Sequence, residues 1–475
     1  MQRARAGTWR RRTLTSCAGL ALALACGRTD EPHEHYSNAT LTAGAGGGVT
    51  SSPATAGSGN GSATGPQGGS NSKPSTGGSS AGGSDALAGA GPEAGAGGEA
   101  PVVTPPEDDC GDPPVSTAAF TRRALREQAA DCATWQYCRF ASSANVLSSE
   151  LDSYASAPSP ATLESARAAY QRAMEQWSEV ELFQFGPLAS NQLSAGRDVA
   201  QGQGIRELIY AWPLVARQRV EEQVANRNYE SGWDGVFVTA RGLFALDYLL
   251  FYPGSDTQCA PGSVCGKNWK ALDADEIAAR KQAYAGALGD DIVASVKRLQ
   301  EAWSPDAGNF RPVLVDATGY MDEAEAMKVI SWSLLYVERE VKDWKLGVPS
   351  GHTVNAPVSS AETPYSGLGT QAIRANLRGF QRLFQGCGEG GAGLGFDDWL
   401  VEAGHPELAG DITAALSNAL AAADAFPPFP NATPAELEAF YQTVKALTNL
   451  LKNDLFGSGS PIGLGLPPGI QGDTD

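Results

Sequence analysis

Apolar residues recur along this chain at alternating steps of three and four. Met327, Ile330, Leu334, Val337, Val341 and Trp344 form one such series, and Leu437, Phe440, Val444, Leu447 and Leu451 another. Ile373, Leu377, Phe380 and Phe384 make a third, and Leu288, Ile292, Val296, Leu299 and Trp303 nearly a fourth. Each series lines one face of an α-helix, and a face that apolar has to pack against other helices. No run alternates with the period of two that a half-buried strand shows. Helix starts are marked too. Ser159 precedes Pro160, His405 precedes Pro406 and Thr433 precedes Pro434, each pair placing a capping position before a proline in the first turn.

The fold class expected is therefore all-α. About 365 residues follow Cys110, more than one core usually holds. Two four-helix-bundle-like domains are expected, over residues 111–266 and 267–475, the second ending in an irregular Gly- and Pro-rich tail. Residues 26–110 differ in kind. From Asn38 to Pro105 they are Gly, Ser, Ala, Thr and Pro with almost no large apolar residue. Such a segment cannot bury enough surface to fold and reads as a disordered tether. A flexible chain of that length spans roughly 50 Å root-mean-square.

The first residues carry a different signal. Arg3, Arg5 and Arg10 to Arg12 precede a short apolar run, Leu14 to Leu24, too short for a comfortable membrane span. Leu22-Ala23-Leu24-Ala25-Cys26 resembles a bacterial lipoprotein signal, with residues 1–25 removed and Cys26 lipidated. An ordinary signal peptide is the alternative, and either implies export. Export changes the charge: loss of the five arginines takes the formal net charge from −18 to −23. So acidic a chain repels phosphate backbones, which excludes nucleic acid as a partner. It also makes disulfides the expected state of Cys110, Cys132, Cys138, Cys259, Cys265 and Cys387. Cys259 and Cys265, flanking a loop-like stretch, are the expected pair; the other pairings stay open.

Two acids break the apolar pattern. Tyr170, Met174, Trp177 and Glu181 share one helix face, and Leu243, Phe244, Asp247 and Leu250 share another. Acids are rarely buried without partners. Arg206 or Arg241 can pair with either carboxylate in a structural network that also takes in Tyr210 and Trp212. Alternatively the two carboxylates face one another and hold a metal, as bundle cores do. The spacing leaves both open. His352 and His405 read as a loop residue and a helix-cap residue, and no HExxH or phosphate-binding loop occurs.

Several segments together carry a resemblance. Trp177, Glu181 and Phe185-Gly186-Pro187 come first, then Arg206-Glu207-Leu208-Ile209-Tyr210-Ala211-Trp212-Pro213 and Gly242-Leu243-Phe244-Ala245-Leu246-Asp247-Tyr248. Lys345-Leu346-Gly347-Val348-Pro349-Ser350-Gly351, Glu362-Thr363-Pro364-Tyr365-Ser366-Gly367 and Asn376-Leu377-Arg378-Gly379-Phe380 follow in order. From about Ser116 onward the chain resembles the imelysin family, in its lipoprotein branch. The resemblance implies a two-bundle cell-envelope protein, in a family that includes peptidases and proteins linked to iron uptake. Its Gly-x-His-x-x-Glu signature falls on Gly242, Phe244 and Asp247, and Phe244 can neither ligate a metal nor move a proton. The residues expected to bind ligand are Glu181, Arg206, Trp212, Gly242, Asp247, Glu362 and Ser366, with Glu181 and Asp247 as ligands of iron or another divalent cation. The function expected is a non-catalytic envelope lipoprotein tied to metal or iron acquisition. It would be held to a membrane through Cys26 and bind a small ligand, a metal chelate or another envelope protein between its bundles. A metallopeptidase and a structural scaffold are the alternatives.

Overall fold

The computed structural model describes residues 109–190, 200–353, 362–467 and 470, and among them only helices and connections occur. The leader, Cys26 and the tether lie outside the described residues. Helix α1 (Arg122–Ser156) starts at Thr121, whose hydroxyl accepts from the amide of Ala124 at 2.9 Å. Helix α2 (Pro160–Val180) starts at Ser159, which exchanges hydrogen bonds with Thr162 as a capping box. Short helices α3 (Ile205–Ile209) and α4 (Arg217–Asn226) lead to α5 (Gly242–Phe251), which carries Asp247, and then to α6 (Ala274–Trp303).

α1, α2, α5 and α6 pack around one core, α1 lying along both α2 and α6 and α5 touching both of those. The helix after residue 266 packs on the first bundle. Helix α6, expected to open the second bundle, completes the first, because Leu288, Ile292, Val296, Leu299 and Trp303 are all buried on this core.

Helix α7 (Glu323–Trp332) leads through one tighter turn into α8 (Val337–Leu346), whose turns widen to i→i+5 hydrogen bonds. The stripe Met327, Ile330, Leu334, Val337 and Val341 stays buried through this change of winding. Beyond it the wide turns bury Lys345, leaving Trp344 only half-buried. Such widened turns are uncommon and tend to mark functional positions. Helices α9 (Gly369–Phe384), α10 (Pro406–Ala425) and α11 (Pro434–Asn449) pack with α8 as the second bundle. Thr433 caps α11 through a capping box with Glu436, as its sequence implies, whereas the His405 side chain makes no capping bond.

The two bundles belong to one compact unit. They meet where α9 lies on α2. Cys132 of α1 is bridged to Cys387, just after α9, closing a separation of 255 residues. Cys259–Cys265 pair as expected, and Cys110–Cys138 ties the start of the described chain to α1. At the α2–α9 contact a Cβ on Gly379 would lie 2.6 Å from the carbonyl oxygen of Glu179. Ordinarily a helical Gly→Ala change stabilises by about 1 kcal/mol. Here Gly379→Ala is expected to destabilise by about 1–3 kcal/mol, because backbone meets the new methyl. Urea unfolding of the variant beside the wild type reads the sign directly.

Candidate functional site

Glu181 is the residue that closes α2, and its carboxylate is fully buried. Lys345 of α8 donates to its Oε1 at 2.8 Å, and Asn376 of α9 donates to the same oxygen at 3.1 Å. Arg206 of α3 stands 3.6 Å from Oε2. The lysine is shared. Its Nζ also lies 2.9 Å from Oε1 of Glu362 and 2.7 Å from Oδ1 of Asn376. Tyr210 donates its hydroxyl to Glu362 Oε1 at 2.9 Å. Thus α2 and α3 of the first bundle and α8 and α9 of the second meet in one buried charged network.

Burial alone would raise the pKa of Glu181, but the charges of Lys345 and Arg206 outweigh it and hold the carboxyl below its usual range. For Glu362 burial wins, helped by the charge of Glu181, and its pKa is raised in spite of Lys345. Lys345 is held above its usual range, because the two carboxylates outweigh its desolvation. Glu340, also on α8, is buried with both oxygens lacking a hydrogen bond. Burial pushes its pKa up to about 7.

Asp247 sits apart from this network in its partners. The amide of Tyr365 donates to its Oδ2 and the amide of Ser366 to its Oδ1, each at 3.1 Å. Burial nevertheless raises its pKa to about 6. The two acids singled out from the sequence are joined through one chain segment: Glu362 shares Lys345 with Glu181, and its neighbours Tyr365 and Ser366 bind Asp247. Arg206 pairs with Glu181, one of the two arrangements the spacing allowed. Arg241 does not join; it forms a buried bidentate pair with Asp291 instead. Gly242 acts through its backbone. It has φ 72°, and a Cβ there would lie 2.2 Å from the carbonyl oxygen of Ile209, so α5 can start only against a bare α-carbon.

Glu181 faces two cations, and Asp247 is bound by two backbone amides. No group of three or more His, Cys, Asp or Glu residues suited to a metal occurs among the described residues.

Above the network the bundles part to form a cleft of about 850 Å³. Trp212, Arg217 and Phe244 line it from the first bundle, Trp344, Phe429 and Leu437 from the second, and Glu362 to Tyr365 from the segment between. Lys345 lies 5.6 Å from the Trp212 ring centre, so buried charge and aromatic wall are in contact. Arg217 is held by Glu221 at 2.6 Å and Asp256 at 2.8 Å, and its guanidinium lies 4.2 Å over the Tyr252 ring. His352 lies outside this site: it stacks on Tyr441 at 3.9 Å and reaches Glu438 at 2.6 Å. Lys345, Glu340, Asn376 and Tyr336 are the members of the site that the apolar pattern did not single out. Lys345 and Asn376 stand inside segments that carry the family resemblance. Glu340 and Tyr336 lie on the stretch where the helix changes its winding.

Glu340 offers a pH test. Its carboxyl holds its proton in the folded protein at pH values where the unfolded chain, with a pKa of 4.5, has released it. The folded state binds more protons there, so stability falls as pH rises from about 4.5 to about 7. Glu340→Gln removes this contribution. The variant is expected to match the wild type near pH 4.5 and to exceed it by up to about 3 kcal/mol at pH 8. Urea unfolding of both proteins across this range measures the difference.

The imelysin model (peptidase M75) matches residues 133–455. An imelysin-like protein from Psychrobacter arcticum 273-4 is similar in fold, with a TM-score of 0.54 at 15% identity over 74% of this chain and 98% of that one. A putative iron-regulated protein A precursor from Parabacteroides distasonis ATCC 8503 is similar too, with a TM-score of 0.52 at 16% identity over 72% of this chain and 96% of that one. No curated protein matches the chain. With the family match spanning the described bundles and the cleft between them, the chain belongs to the imelysin family.

Proposed function

We propose that this protein is a non-catalytic binding protein of the cell envelope, lipid-anchored through Cys26, that holds a small ligand or metal chelate in the cleft between its bundles. The cleft is the observation that carries this reading. It has the volume of a small-molecule site, it is walled by aromatic side chains, and a few polar groups converge at its floor. Its walls come from both bundles, whose relative position is held by the buried network and the Cys132–Cys387 bridge. The site thus stands preformed.

A role in metal or iron acquisition is part of the proposal. Its support is the family, together with the description of the Parabacteroides relative as iron-regulated. The residues favour a chelate or an organic ligand over a bare ion, because Glu181 and Asp247 already have their partners. The peptidase alternative would need a metal, an activated water and a general base. Phe244 lines the cleft at the position where the resemblance places a histidine. Among the described residues no helix is long and apolar enough to cross a membrane, so the proposed attachment rests on the lipid.

Calorimetric titration of the leaderless protein with ferric citrate and with a panel of small organic ligands, beside a peptide-cleavage assay, tests this reading. Saturable binding that is lost on Trp212→Ala, without cleavage, is expected. Metal-dependent cleavage abolished by Asp247→Ala would favour the peptidase. Neither binding nor cleavage would leave the scaffold.

A further inference from the structure

Beneath the cleft, buried acids and bases gather. Glu181, Glu340 and Glu362 gather with Arg206 around Tyr336, and Lys345 lies 5.9 Å from the same ring centre. Three carboxyl groups thus meet three cations: Arg206, Lys345 and, 3.9 Å from Glu340, Arg339. Four carboxylate oxygens accept no hydrogen bond: both of Glu340, Oε2 of Glu181 and Oε2 of Glu362. Glu340 and Glu181 are enclosed by the network. Glu362 also lines the cleft, where it is the one acidic residue among the described residues, and it is only 4% exposed. Beside it the hydroxyl of Thr363, another lining residue, has no partner either. The cation in the wall, Arg217, is held by Glu221 and Asp256 instead. A buried carboxylate oxygen without a donor is costly. Aromatic side chains line the same cleft, and aromatic faces attract positive charge.

We propose that the ligand of this cleft is an organic cation. It would carry a planar or aromatic body, seated against Trp212, Phe244, Trp344 and Tyr365, and an amino, amidinium or guanidinium head that donates to Glu362 Oε2 and meets Thr363. This inference rests on the reading of the cleft as a ligand site and narrows the class of ligand. An anionic iron chelate would bring acceptors to a floor whose unpartnered group is itself an acceptor. The head group would supply the missing hydrogen bond.

The test uses the leaderless protein, at a salt concentration that screens its diffuse negative charge. Two planar fluorescent probes differ in sign: proflavine, a cation, and 9-anthracenecarboxylate, an anion. Polarisation is expected to show proflavine binding at least tenfold more tightly. Glu362→Gln should weaken proflavine at least tenfold. That variant alters the buried network, so two variants outside the network accompany it. Leu437→Lys, which places a cation in the cleft wall, should weaken proflavine about tenfold; Gln258→Glu, at an exposed lining position, should tighten it several-fold. Proflavine binding that ignores all three changes would overturn the inference, because the probe would then sit elsewhere. Tighter binding of 9-anthracenecarboxylate, or of ferric citrate by calorimetry, would overturn the inference and leave the cleft as a ligand site. Binding of none of the three probes would overturn both.

Discussion

One lysine holds this architecture in register. Lys345 is fully buried between Glu181, which ends a helix of the first bundle, and Glu362 and Asn376, which belong to the second bundle and its approach. A buried ammonium is tolerable only with its full set of acceptors, and here they come from both sides of the interface. Neither bundle can shift on the other without stranding a charge. The close approach of Gly379 to the Glu179 carbonyl acts at the same contact, bringing α9 down onto the end of α2 so that Asn376 can reach Glu181. The Cys132–Cys387 bridge ties α1, which packs along α2, covalently to the end of α9.

The cleft follows from that register. The network ties Glu362 down at its floor, and the two amides that follow, of Tyr365 and Ser366, turn inward to Asp247. The same short segment therefore links both buried acids and forms part of the ligand wall. Asp247 is in this sense a positioning residue: it orders the segment that presents Glu362, Thr363 and Tyr365. Phe244, one turn before it on α5, supplies apolar surface to the same cleft.

The fold was legible because helices announce themselves through their apolar faces. The series from Leu288, Ile373 and Leu437 each mark a helix that the structure contains. The capping residues Ser159 and Thr433 mark where two helices begin. The boundary between bundles was less legible, because an apolar stripe shows that a helix is buried without showing against which partner, and α6 turned back onto α1. Helix α1 itself is quiet in the sequence because alanine and polar side chains make up eight of its fourteen buried positions. In the site, Glu181 and Asp247 stood out as acids on apolar faces, and both are buried. Their partners did not stand out. Arg206 was one of two arginines in reach, whereas Lys345 is brought inward by turns wider than the period on which the stripe was read. The amides that bind Asp247 are backbone groups, which leave no trace in side-chain pattern.

The most direct test of the account is a double-mutant cycle on Glu181 and Lys345. Lys345→Met leaves two buried carboxylates short of a cation and is expected to cost about 3–5 kcal/mol, and Glu181→Gln relieves part of that loss when combined with it. Urea unfolding of the wild type, both single variants and the double variant should give a coupling energy of about 1.5 kcal/mol or more. Additivity within about 0.5 kcal/mol would contradict the claim that this lysine holds the two bundles together.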